Sequence, residues 1–131
     1  MNVVTGPPIR IEILARQDCV NRRMARIVVD RAVAQSGIPV ELEVVNVKTE
    51  SQAEKRRFLG SPSVRVDGLD VEPGSSGRTD FTLGDRIYRC GLGGVQGWPD
   101  ERWIRSALLV AAAQLSAPGD ASSGRSSATS P

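Results

Sequence analysis

The sequence predicts an α/β domain in the order β-α-β-α-β-β-α, with a mixed central sheet and helices on both faces. Three observations lead there. Ile9, Ile11 and Ile13 alternate with Arg10 and Glu12, the period-two pattern of a strand. Over residues 20–36 the apolar spacing lengthens to that of a helix, and Val40, Leu42 and Val44 then alternate again. An Asp67-Gly68 pair between two short apolar runs is a hairpin signal.

The first strand follows Gly6-Pro7-Pro8, continues through Leu14 and ends at Gln17-Asp18-Cys19. In the first helix Met24, Ile27, Val28 and Ala32 keep helical spacing, and Val29 and Val33 widen the face. Gly37 supplies a stop and Pro39 prevents resumption. Val45 and Val47 extend the second strand. Ser51-Gln52-Ala53-Glu54 has capping-box form and opens a short helix through Phe58 or Leu59, which Gly60-Ser61-Pro62 breaks. Val64 and Val66 form a third strand, and the hairpin leads into residues 69–71. Residues 72–77 read as a loop, Ile87-Tyr88-Arg89-Cys90 as a candidate further strand, and residues 91–97 as a flexible glycine-rich loop. Pro99-Asp100-Glu101 is a good first helical turn. Trp103, Ile104, Ala107, Leu108, Ala111 and Leu115 then place apolar side chains along a last helix. A crossover helix between the first two strands makes them a parallel, right-handed unit.

Residues 1–8 read as a leader, 9–115 as one domain, and 116–131 as a Ser/Gly/Pro/Ala-rich tail with nothing to pack, expected to be disordered. The formal charge of +2 gives no strong pull toward nucleic acid or an anionic membrane. The chain has no histidine, which excludes Ser-His-Asp and Cys-His catalysis and most zinc sites. Its two cysteines, Cys19 and Cys90, are too few for a disulfide scaffold. Residues 1–8 lack the cationic region and apolar run of a signal peptide, and no stretch has membrane-spanning length. A cytoplasmic protein is expected.

Several motifs fail on inspection. A dinucleotide fingerprint from Gly91 needs glycine where Gln96 stands, and no Gly-Lys-Ser/Thr occurs. A Cys-x5-Arg phosphatase loop from Cys19 meets Ala25. Lys55-Arg56-Arg57 and Arg22-Arg23-Arg26 are basic without interleaved aromatics, as solvated helix faces are. Asp67, Asp70 and Glu72 have no calcium-loop spacing. No cofactor is expected, and a soft metal could bind only through Cys19 and Cys90 together.

The element order, a cysteine where the first strand meets the first helix, and a proline before the third strand together resemble the thioredoxin-like superfamily. More narrowly, the chain is similar to small bacterial thioredoxin-like proteins of the DF-family (seleno)protein and alkylmercury-lyase-associated type. The similarity is carried by Phe58-Leu59-Gly60-Ser61-Pro62-Ser63-Val64-Arg65-Val66-Asp67-Gly68, Asp70-Val71-Glu72-Pro73-Gly74, Arg78-Thr79-Asp80-Phe81 and Arg86-Ile87-Tyr88. Gly97-Trp98-Pro99 ahead of Trp103-Ile104 completes it. The chain departs from the family at the first motif, which reads Asp18-Cys19-Val20 where the family usually has Gly-Cys-Pro. Arg22 occupies the position of a resolving CxxC cysteine, and Asp85 that of a second family cysteine.

The resemblance implies redox chemistry at Cys19. A cysteine in the first turn of a helix, beside Arg22 and Arg23, has its thiolate favoured by unpaired N–H groups and positive charge, against the opposition of Asp18. The alternative is a small buried hydrophobe filling the strand end. The resemblance also implies a cis peptide bond at Pro62, with the backbone of Ser61 and Ser63 facing Cys19 to pair with an extended substrate; otherwise Pro62 is a trans proline that ends a helix. Cys90 either resolves a mixed disulfide or is an idle thiol. Two functions remain: a monothiol redox protein exchanging with a small thiol or a protein partner, and a non-catalytic thioredoxin-fold module binding a protein or soft-metal ligand.

Overall fold

In the computed structural model, residues 8–91 and 94–116 are described, and β1 (Ile9–Ala15) is a central strand. After it come α1 (Arg22–Ser36), β2 (Val40–Asn46), α2 (Glu50–Lys55), β3 (Ser63–Val66), β4 (Leu69–Asp70), β5 (Tyr88–Cys90), β6 (Gly94–Gln96) and α3 (Glu101–Ser116). The main sheet has the order β2-β1-β3-β4. β1 pairs parallel with β2 from Ile9↔Val40 to Ala15↔Asn46, and antiparallel with β3. β3 and β4 form the hairpin that Asp67-Gly68 signals. The fold is a mixed four-stranded α/β arrangement.

Sequence periodicity explains the two cores. Ile9, Ile11 and Ile13 face one side and meet Val64 and Val66 of β3, Ala25, Val28, Val29 and Ala32 of α1, and Ile104, Leu108 and Ala111 of α3. Each isoleucine is at most 2% exposed, and such burial stabilises by about 1.5–3 kcal/mol per side chain. Leu14 points to the other face, where Val45, Val47, Ala53 and Phe58 enclose it beneath α2. α1 and α3 therefore share one face and α2 takes the other.

Local chemistry moves several boundaries. α1 begins at Arg22 rather than near residue 20, after Asn21, whose side chain makes no cap bond. It ends at Gly37 in the left-handed region, with Gly37 N–H on the Val33 carbonyl. The capping box of α2 opens two residues earlier than the Ser51 reading: Thr49 Oγ1 accepts from Gln52 N–H at 3.1 Å, and Gln52 Oε1 accepts from Lys48 N–H at 2.8 Å. α3 begins at Glu101, one residue after Asp100, whose carboxylate accepts the Arg102 N–H. Leu115 is exposed rather than packed, and Val44 is half out of the core. Part of the expected glycine-rich loop is instead β6, paired with β5 from Tyr88↔Gln96 to Cys90↔Gly94. Apart from Pro8 and Ser116, the last residue of α3, the expected leader (1–8) and tail (116–131) lie outside the described residues. Among the described residues no helix is long and apolar enough to cross a membrane.

Candidate functional site

Cys19 lies in the turn between β1 and α1. Its N–H donates to the Arg16 carbonyl and its own carbonyl accepts from Arg22 N–H, both at 3.3 Å. It stands two residues before Asn21, so the expected place in the first helical turn is corrected by the later start of α1. The residue is 7% exposed, whereas its neighbour Val20 is 84% exposed. Cys19 opens on a cleft of about 470 Å³ lined by Ile13, Val20, Val44, Arg22, Arg23 and Arg26. Arg26 pairs with Asp30 one turn on. Arg22 and Arg23 make no ion pair among the described residues. An apolar wall and uncommitted guanidiniums therefore surround one thiol.

The Ser61–Pro62 peptide bond is cis. Ser61, Pro62 and Ser63 are all buried, and their polar groups are already engaged. Ser61 N–H donates to the Gly84 carbonyl at 2.8 Å, and the Ser61 carbonyl accepts from Arg86 N–H at 3.0 Å. Ser61 Oγ accepts the Arg16 N–H at 2.9 Å. The Pro62 carbonyl accepts from Tyr88 Oη, and Ser63 Oγ donates to the Gly60 carbonyl while accepting from Arg86. Residues 84–86 run beside Ser61 as a strand would, so the backbone expected to meet a substrate is met by this chain's own strap. Arg16 connects the two regions: its backbone bonds both Ser61 and Cys19, and its guanidinium reaches Asp18, Asp85 and the Leu83 carbonyl. Hydrogen bonds to Asp85 and then Asp18 hold the Arg16 pKa above its ordinary value.

Sequence reading missed a buried ionic cluster behind this loop. The Arg86 side chain is 2% exposed and forks onto Asp70 at 2.7 and 3.0 Å, with Glu72 at 2.7 Å and Ser63 Oγ at 2.8 Å. Its guanidinium carbon lies 4.5 Å from the centroid of the Tyr88 ring. Burial works against its charge, but the Asp70 hydrogen bond and the surrounding negative potential outweigh that and hold the cation firmly protonated. Arg86 Nε is the one buried side-chain nitrogen or oxygen without a partner among the described residues. Gly60 permits the approach: its φ is +118°, and a Cβ there would stand 2.9 Å from Arg86 Cβ. No local pattern marks the cluster: Asp70 ends β4, and Glu72 and Arg86 lie outside the strands.

Cys90 is not among the residues that line the Cys19 cleft. It sits half-buried at the end of β5, and both cysteines are free. Burial, and then Asp100, push the Cys90 thiol pKa up. Residues 92 and 93 of the expected glycine-rich loop lie outside the described residues. Among the described residues no three His, Cys, Asp or Glu side chains gather as metal ligands. Comparison with protein-family models, curated proteins and solved structures finds no match to the chain.

Proposed function

We propose that the chain is a thioredoxin-like protein whose Cys19 exchanges disulfides as a single thiol. The strand order β2-β1-β3-β4, with α1 and α3 on one face and α2 on the other, supports the fold assignment. The observation that carries the function is the shared cleft of Cys19, Arg22, Arg23 and Arg26. The Cys19 thiolate attacks one sulfur of a disulfide, forming Cys19–S–S–R and expelling the other half as a thiolate that takes a proton. A second external thiol then attacks the mixed disulfide and returns Cys19 to its reduced form. Arg22 and Arg23 attract an acidic partner, while Val20 and Val44 receive its apolar part.

Incubation of the folded, reduced protein with oxidised glutathione tests this, with the adduct located by peptide mass spectrometry. An adduct on Cys19 that dithiothreitol removes, absent in Cys19→Ser, is the expected result. Labelling of Cys90 alone, or of Cys19 only after denaturation, sinks the enzymatic reading. The occupied backbone of Ser61 favours a second reading, a non-catalytic module of the same fold. In that case a partner binds Cys19→Ser as tightly as the native chain.

A further inference from the structure

α2 and the residues after it pack over β1 and β2, through Leu14, Val45, Val47, Ala53 and Phe58. Further along that face, toward β4, a cleft of about 440 Å³ opens, with Arg57, Arg65, Arg78, Leu69, Val71 and Phe81 among its lining. Arg65 projects from β3, and its Nη2 donates to the carbonyls of Arg56 and Arg57 at 2.6 and 3.0 Å, closing the end of α2. Burial lowers its pKa more than Glu12 and Asp70 raise it, so the charge is desolvated without full compensation. The Arg57 guanidinium lies 4.8 Å from the centroid of the Phe81 ring.

Glu12, the cross-strand neighbour of Arg65, makes no ion pair among the described residues, whereas Asp70 and Glu72, which line the cleft, and Asp80 are committed to other arginines. Asp70 is held bidentate by Arg86, Glu72 is held mainly by Arg86, and Asp80 is held by Arg78. Neither Arg57 nor Arg65 has an ion-pair partner among the described residues. Beside these two cations stands an apolar surface that includes Leu69, 70% exposed. Guanidinium N–H groups match phosphate oxygens; Arg65 offers Nε and Nη1, its Nη2 being spent on the two carbonyls, and two such cations balance a dianion where one carboxylate would leave a charge over. We propose that this cleft binds an organic phosphate, its dianion held by Arg57 and Arg65 and its apolar body laid against Leu69 and Phe81. Cys19 is not among the cleft's lining residues, so the site does not depend on thiol chemistry.

Calorimetric titration of the full chain with phenyl phosphate, at fixed ionic strength, tests the proposal. Saturable binding is expected, weakened roughly tenfold or more by Arg57→Gln. Arg57 is exposed, so Arg57→Gln keeps the native circular dichroism and unfolding midpoint; Arg65→Gln also loosens the end of α2 and serves as the second variant. Phenol is expected not to bind, inorganic phosphate to bind more weakly than phenyl phosphate, and Cys19→Ser to bind as the native chain does. No saturable heat, or equal affinity in Arg57→Gln, overturns the proposal. Phenol binding as well as phenyl phosphate overturns the anion site, and inorganic phosphate binding equally well overturns the apolar wall.

Discussion

Two arginine-rich regions, one behind the Ser61-Pro62-Ser63 loop and one at the Cys19 cleft, use their charge in opposite ways. Behind the loop, Arg86 is enclosed and meets two carboxylates, a hydroxyl and a ring, with a single N–H left over. Around Cys19, Arg22 and Arg23 line an open cleft with no ion pair among the described residues. A cation whose donors are nearly all satisfied holds structure together, because its loss leaves buried anions behind. A cation facing solvent without a partner contributes little to stability and is free to meet a ligand.

The sharpest way to break this contrast is Arg86→Met. Asp70 and Glu72 then lose their buried counter-ion, and the protein should lose about 3–5 kcal/mol of unfolding free energy in urea titrations. A loss below about 1 kcal/mol would make the cluster no more than a surface ion pair. Gly60→Ala should cost about 1–3 kcal/mol, because alanine is strained at positive φ and its methyl meets Arg86. The double change Arg22→Gln, Arg23→Gln should move stability by no more than about 0.5 kcal/mol. The same change should slow mixed-disulfide formation at low ionic strength, and the difference should fade as salt rises. Smallest is the pH effect on Cys90. Its raised pKa keeps the thiol protonated at pH values where an ordinary cysteine has ionised. Half-maximal alkylation of Cys90 should therefore fall above pH ~8.5, as rates read by peptide mass spectrometry would show.

The main sheet was legible because its signals are local. Alternation at Ile9, Ile11 and Ile13 fixed both the strand and its buried face, and Asp67-Gly68 marked its hairpin. Where two local signals competed, the reading slipped: Thr49 with Gln52 caps α2, although Ser51 and Glu54 have the same spacing. β6 escaped because Gly94 and its glycine neighbours carry no apolar alternation. The cis bond at Pro62 was visible through motif resemblance. The Arg86 cluster was not, because its partners at 63, 70, 72 and 88 come from separate stretches that only the tertiary fold brings together. The same holds for the occupied backbone of Ser61, whose partners lie beyond residue 83.

That pairing has a consequence for how the native state opens. The amide protons of Ser61 and Arg86 sit in reciprocal bonds between the loop and the strap, and the Arg86 side chain clamps the same strap to β3 and β4. Neither amide can reach solvent unless the strap lifts, and the strap cannot lift without separating the ion cluster. Loop and strap therefore form one cooperative unit, and hydrogen exchange at the two amides reports a single opening event rather than two independent frays.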